Sequence, residues 1–435
     1  MERAQFAELA NWKISNDRKP LIIRGARQVG KTWLMKEFGK RYYRQTVYIN
    51  FESAETLQAI FANDFDIQRI IAAIQIESEL QITPEDTLII FDEIQECNRA
   101  ITSLKYFYEN APQYHIVAAG SLLGVALHKH TSFPVGKVNF MDLYPLSFSE
   151  FLLALNKKPL YDLLVSKDWS MIANFKSKYI ELLRQYYFIG GMPEAVYSFS
   201  NESNFAKIRE IQLRILSAYE QDFSKHAPHD IVPRIRMIWQ SILAQLAKEN
   251  KKFVYGNLKP GARAKEYEVA MAWLIDSGLI HKVHRASKPA IPLKAYMDAS
   301  AFKLYLVDIG LLGAMGDIDL KTLIEGNAIF QEFKGATTEQ YVLQQMKCHQ
   351  NLPIYYWSTE KSTAEVDFLV QSAGNIIPIE VKAEENLQAK SLKSFQQRYN
   401  PALSIRTSMS DYRVDDWLTN VPLYGISEYL KQVEQ

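Results

Sequence analysis

The sequence predicts an α/β protein: a parallel sheet at the start, then a helical stretch, a helix–turn–strand unit and a C-terminal α+β domain. Three observations predict it. Through the first 150 residues, short β-branched and apolar runs alternate with helical periodicity, the pattern of a parallel sheet covered on both faces. Thr87-Leu88-Ile89-Ile90-Phe91 is continuously apolar, as a strand buried on both sides requires. From residue 150 to about 225 the period is helical, and strands dominate again only in the last hundred residues.

The first element is an amphipathic helix over residues 2–13, with Phe6, Leu9, Ala10 and Lys13 at helical spacing. A short strand, Leu21-Ile22-Ile23-Arg24, then runs into Gly25-Ala26-Arg27-Gln28-Val29-Gly30-Lys31-Thr32, which fits G-x-x-x-x-G-K-[ST] without deviation. Each part has a physical purpose. Gly25 and Gly30 let the backbone wrap so that successive N–H groups point at phosphate oxygens. The helix that follows adds the positive end of its dipole. Lys31 reaches the β- and γ-phosphates, and the Thr32 hydroxyl ligates Mg²⁺. The expectation is a P-loop NTPase sheet that takes ATP and Mg²⁺, with residues 25–32 and Asp92 as its binding set.

A second strand is expected at 46–51 and a helix over 67–80. The apolar run 87–91 ends in Asp92-Glu93, at the carboxyl end of a central parallel strand, where open α/β sheets bind ligands. Asp92 is expected to hold Mg²⁺ through a water, and Glu93 to polarise the attacking water. Another apolar strand, 115–119, leads to Gly120-Ser121, which places a hydroxyl beside the γ-phosphate or the water. The alternative for Ser121 is a plain helix N-cap. A further strand is expected at 137–144.

Gly25–Thr32, Phe91-Asp92-Glu93-Ile94-Gln95, Ala119-Gly120-Ser121 and Tyr144-Pro145-Leu146-Ser147-Phe148-Ser149-Glu150-Phe151 resemble a bacterial and archaeal family of AAA-type P-loop ATPases. Its members join that module to a C-terminal domain of unknown function, and the resemblance extends across nearly the whole chain. One departure is Gly136-Lys137, where family members often carry Gly-Arg; a lysine supplies charge without the bidentate fork.

Residues 151–230 read as a helical lid, interrupted by Gly190-Gly191-Met192-Pro193, which also resembles a signature of the family. Residues 231–315 read as a winged-helix-like domain: helices at 235–248 and 265–277, a turn at Gly278, then an alternating strand at 279–285. Between Lys248 and Lys288 there are nine Lys/Arg and four Asp/Glu, so DNA or RNA is the candidate partner of 248–288 and of the C-terminal domain. The alternative is a solvated lysine face on a packing element.

Residues 325–435 carry a second constellation. Two strands, 365–370 and 376–382, flank Ser372-Ala373-Gly374-Asn375, which has hairpin chemistry. A two-residue turn at Ala373-Gly374 pairs Ser372 with Asn375 and sets Asp367 opposite Glu380. The period of two then puts Asp367, Glu380 and Lys382 on one face, with Glu339 approaching from near the start of a helix. Carboxylates converging this way can hold Mg²⁺ while the lysine balances developing charge. The arrangement resembles the PD-(D/E)xK nuclease fold. That resemblance implies Asp367, Glu380 and Lys382 as catalytic residues and Glu339, Asp367 and Glu380 as metal ligands.

The rest of the sequence bounds the function. A net charge of +1 gives no global pull toward nucleic acid or membrane, so any such partner needs a local patch. Cys97 and Cys348 are too few and too far apart for a disulfide framework or a zinc site, which fits a reducing cytoplasm. The N-terminus is charged where a signal peptide is apolar, and no apolar run is long enough for a membrane span. The reading is an ATPase coupled to a nuclease-like domain acting on or binding nucleic acid. The alternative is an ATP-switched regulatory or scaffold protein whose C-terminal domain binds a partner without cleavage.

Overall fold

Two separate sheets, each with its own helices, satisfy the strand patterns of this chain. In the computed structural model the described residues are 1–121, 133–248, 251–319, 331–348, 352–359, 364–383 and 389–433. They divide into two units, Glu2–Tyr144 with Asp276–Gly278, and Pro145–Ile275 with Leu279–Gln435.

The N-terminal unit runs α1 (Gln5–Ile14), β1 (Leu21–Arg24), α2 (Lys31–Tyr42), β2 (Gln45–Asn50), α3 (Glu55–Asn63), α4 (Ile67–Ser78), β3 (Thr87–Asp92), α5 (Asn98–Asn110), β4 (His115–Ala119) and β5 (Asn139–Asp142). The strands lie in the order β2-β3-β4-β1-β5, every neighbouring pair parallel. Alternation divides their side chains between two layers. Ile22, Ile89, Phe91, Ile116 and Ala118 join Phe61 of α3, Ile70 and Ile74 of α4 and Leu104 of α5 in one core. Ile23, Ile90 and Val117 take the other face and are fully buried, as are Leu34, Met35 and Phe38 of α2. Because all five strands run the same way, the residues that follow β1, β3 and β4 emerge along one edge.

The second unit begins with helices: α6 (Phe148–Ala154), α7 (Lys158–Ser166), α8 (Trp169–Asn174), α9 (Lys176–Ile189), α10 (Pro193–Glu202), α11 (Phe205–His226), α12 (Val232–Leu246) and α13 (Ala264–Asp276). Then come β6 (Ile280–Ala286), β7 (Met297–Leu306), α14 (Ile309–Met315), α15 (Gln331–Lys347), β8 (Ile354–Ser358), β9 (Glu365–Ser372) and β10 (Asn375–Val381). α16 (Lys390–Tyr399), β11 (Ile405–Ser408), β12 (Arg413–Asp415), β13 (Leu418–Pro422) and α17 (Ile426–Val433) complete it.

Its eight strands form one sheet in the order β12-β13-β11-β10-β9-β8-β6-β7. The expected separation of 231–315 from 325–435 therefore cuts through a single layer: β6 of the first segment pairs in parallel with β8 of the second. The physical reason is that a two-stranded hairpin alone leaves an open edge and is marginally stable, and β8 covers that edge. The glycines at 313, 316 and 326 suggest a linker or exposed turn over 313–326; residues 313–315 instead close α14, and 320–326 lie outside the described residues. The expected boundary at 150 also moves, to 144. Ser147 and Glu150 form a reciprocal capping box at the start of α6. Ser149 Oγ donates to Glu428 of α17 at 2.7 Å, and Phe148 N–H donates to Gln345 of α15 at 2.8 Å. The 145–151 block thus fastens α6 to the C-terminal elements.

The Gly190-Gly191 turn has an equally local cause. Gly190 has φ +74°, and the Gly191 N–H donates to Asp308 Oδ2 at 2.6 Å. Asp308, fully buried, also accepts from Leu311 N–H at 3.0 Å and from Gln344 Nε2 at 2.9 Å. A Cβ on Gly191 would lie 2.2 Å from the Leu146 carbonyl oxygen, so no larger residue fits without moving backbone. Gly191→Ala is expected to destabilise the protein by on the order of 3 kcal/mol, read as a lower denaturation midpoint at constant slope. An unchanged midpoint would contradict this account of the turn.

Candidate functional site

The edge of the N-terminal sheet gathers the expected nucleotide residues. The loop from Gly25 to Gly30 turns through three left-handed positions, with φ +147° at Gly25, +68° at Gln28 and +95° at Gly30. Gly30 is the residue preceding α2, so the loop delivers the chain directly into a helix N-terminus. Ala26 and Val29 are buried. Arg27 is half-buried and Gln28 exposed.

Lys31 folds back onto this loop, donating to the Gly25 carbonyl at 2.9 Å and the Ala26 carbonyl at 2.8 Å. Burial lowers its pKa to about 8, against the opposing pull of Glu93 and Asp92. Thr32 Oγ1 donates to Asp92 Oδ2 at 2.6 Å, and the Tyr48 hydroxyl of β2 donates to the same oxygen at 2.9 Å. A hydroxyl and a buried carboxylate side by side make a hard oxygen pair, and this donor set fits Mg²⁺. Glu93 follows directly. One of its oxygens, Oε2, accepts from Gln95 Nε2 at 2.6 Å and from Ser121 Oγ at 3.2 Å. The structure therefore brings Lys31, Thr32, Asp92, Glu93 and Ser121 together. Lys137 is placed elsewhere, in an ion pair with Glu109 of α5 at 3.0 Å.

The second constellation lies wholly in the other unit. Ala373 and Gly374 take φ +46° and +75°, Ser372 pairs with Asn375, and the register continues to Phe368 with Ile379. The paired positions end there, one residue short of Asp367 and Glu380. Lys382 Nζ meets Glu380 Oε1 at 2.7 Å, and Asp367 Oδ2 accepts from the Val381 N–H at 2.8 Å. Glu339 is close by, but it lies midway along α15 and not near the helix start.

Three residues that sequence reasoning missed change this site. Lys303 of β7, with no exposed side-chain surface, is ion-paired to Glu365 and lies 3.7 Å from Glu339 Oε2. Lys251 is ion-paired to the other Glu339 oxygen, and the Tyr305 hydroxyl donates to Glu339 Oε2 at 3.1 Å. Burial opposes the Glu339 charge, yet Lys251 and Lys303 hold its pKa below the ordinary range. Asp367 is pushed the other way, well above its ordinary range, by burial and by Glu339 and Glu380.

The expected metal set of Asp367, Glu380 and Glu339 is consequently not assembled as a cage. Among the described residues, no group of three or more His, Cys, Asp or Glu side chains is placed to hold a metal ion. Two lysines take the charge of Glu339 instead. Lys303 had a signal in the sequence, a lone charge within the apolar strand Phe302-Lys303-Leu304. Lys251 had none.

Lys31 supplies a pH test. Polyphosphate beside its ammonium would raise the pKa again, so binding takes up a proton wherever free Lys31 is neutral. Nucleotide affinity is expected to be flat below pH 8 and to fall by up to about tenfold per unit above it. Titration of a fluorescent ATP analogue from pH 7 to 9.5 checks this. Constant affinity across that range would show that Lys31 does not meet phosphate.

Residues 17–152 match the AAA domain family, residues 180–322 a domain of unknown function (DUF8612), and residues 334–426 another (DUF4143). No curated protein matches the chain. Among solved structures, a Walker-type ATPase of Pyrococcus abyssi is similar at 13% identity and a TM-score of 0.46, covering 72% of this chain and 95% of its own. The Orc1 protein of Aeropyrum pernix, solved in complex with DNA, has 12% identity and a TM-score of 0.27, covering 73% and 93%. Cdc6p from Pyrobaculum aerophilum has 10% identity and a TM-score of 0.26, covering 74% and 93%. With its parallel sheet, its glycine-bounded loop and the match over residues 17–152, the N-terminal unit is a P-loop ATPase domain of the AAA type.

Proposed function

We propose that the N-terminal unit binds ATP with Mg²⁺ and hydrolyses it, and that nucleotide state governs a nuclease-like C-terminal domain that acts on or binds nucleic acid. The observation that carries the first half is the set of contacts at one sheet edge: Thr32 on Asp92, and Ser121 on Glu93. Lys31 and the N–H groups of residues 25–32 would hold the phosphates. Thr32 and Asp92 would hold Mg²⁺, which supplies charge neutralisation to the phosphate oxygens when bound. Glu93 orients the attacking water and accepts its proton, and Ser121 is positioned to touch the γ-phosphate.

Variants test the assignment directly. Lys31→Ala should weaken ATP binding by at least about tenfold. Glu93→Gln should keep affinity and lose turnover by roughly 10²- to 10⁴-fold. Wild-type affinity in Lys31→Ala, or unchanged turnover in Glu93→Gln, would remove the site.

A second reading is favoured by one observation. Lys251 and Lys303 already neutralise Glu339, which suits an ATP-switched regulatory or scaffold protein that binds a partner without cutting it. The basic segment supports nucleic acid as that partner through Arg263 and Lys265, which are exposed. Arg285 and Lys282 are poorer candidates, since Arg285 is paired with Asp298 at 2.7 Å and Lys282 lies 4.0 Å over the Phe302 ring. Within this proposal the protein works in the cytoplasm, where Cys97 and Cys348 stay unbonded. No described helix is long and apolar enough to cross a membrane.

Incubation with DNA and RNA in Mg²⁺ or Mn²⁺, with and without ATP, separates the readings. Cleavage that Asp367→Ala abolishes supports the nuclease. Salt-dependent binding without cleavage, weakened in Arg263→Glu/Lys265→Glu, supports the scaffold. Neither binding nor cleavage at low salt would remove nucleic acid from both.

A further inference from the structure

Glu93 is held in an unusual way, and the residue that holds it has been given no role so far. β3 ends at Asp92, and Glu93 then takes φ +48° and ψ +43°, a left-handed conformation that costs a non-glycine residue about 1–2 kcal/mol. Such a conformation persists only where its surroundings enforce it. Here a single 3₁₀ turn, Ile94–Glu96, follows at once, closed by Glu96 N–H donating to the Glu93 carbonyl at 3.0 Å. That turn swings Gln95 back over the side chain two residues before it.

The Gln95 amide nitrogen donates to Glu93 Oε2 at 2.6 Å, the shorter of the two bonds this oxygen accepts. Its orientation has no alternative. The same nitrogen lies 3.5 Å from a carboxylate oxygen of Glu96, so a reversed amide would set its carbonyl against two carboxylates. The Gln95 carbonyl oxygen is correspondingly buried with no hydrogen-bond partner among the described residues. An orphaned acceptor costs about 1–3 kcal/mol.

We propose that Gln95 is a positioning residue for hydrolysis. It anchors Glu93 Oε2 so that Oε1, which takes no hydrogen bond from the described residues, is the oxygen presented to the attacking water. The Ser121 bond to the same oxygen is longer and comes from a rotatable hydroxyl, so Ser121 can turn to a γ-phosphate while Gln95 keeps the carboxylate in place.

The inference rests on Glu93 being the catalytic carboxylate, and a double-mutant cycle separates the two claims. Steady-state ATP hydrolysis is measured for wild type, Gln95→Ala, Gln95→Glu, Glu93→Gln and the Glu93→Gln/Gln95→Ala pair, with single-turnover assays for the slow variants. Gln95→Ala is expected to lower kcat about tenfold, the effect of one charge-assisted hydrogen bond, with KM for ATP within about twofold. Gln95→Glu keeps the size of the side chain but sets like charges together, and should lose more kcat. In the Glu93→Gln background, Gln95→Ala should cost nothing further. Equal losses from Gln95→Ala in both backgrounds, or a rise in KM at constant kcat, would overturn the proposal. If Glu93→Gln itself keeps full turnover, the catalytic reading of Glu93 has failed, and the role of Gln95 falls with it.

Discussion

The second unit depends on a lysine that cannot reach water. Lys303 sits in the middle of β7 with apolar neighbours along the strand, and an unpaired ammonium there would cost several kcal/mol. Burial alone would strip its proton, but Tyr305, Glu339, Glu365 and Asp367 hold its pKa well above the ordinary value. Its partners come from elements far apart in the chain, α15 and β9, and Lys251 joins them from the segment before α13. The charge therefore does what a hydrophobic contact cannot: it fixes which face of which strand meets which helix. A sheet whose order mixes early and late strands is specified in part by that one buried cation.

The N-terminal unit depends on direction instead. Five parallel strands must all end on the same side, and the reactive side chains of the site lie at or after such an end. Tyr48 shows how tightly the edge is knit, since it reaches Asp92 from the neighbouring strand while Lys36 lies 3.6 Å over its ring. The site is thus a property of the sheet edge, and its loops supply only the final few ångströms.

Much of this was legible in the sequence because the signals were local. The phosphate loop is eight consecutive residues, and β3 and β4 are continuous apolar runs. The Ser372–Asn375 register followed from a two-residue turn and the period of two, so the pairing could be read in advance as far as Phe368 with Ile379. What was not legible came from distant pairing. Nothing in residues 280–286 says that β8 will lie alongside them, because a parallel edge contact leaves no periodicity of its own. Lys251 and Lys303 meet Glu339 across 88 and 36 positions, too far for any spacing rule. Gln95 was visible as part of a motif, but its role appears only once a left-handed residue folds the turn back on itself.

The shared eight-stranded sheet has a consequence for how this chain can be divided. Module boundaries suggested by composition would make the hairpin β6–β7 and the last hundred residues exchangeable parts. They are not. A fragment starting after residue 325 would present β8 as a bare edge, with unpaired backbone groups facing solvent, and would leave Glu365 and Glu339 without Lys303. Both defects favour self-association of the fragment over folding. The two segments of this unit share one hydrogen-bonded sheet and one set of buried charges, and a cut between them exposes both.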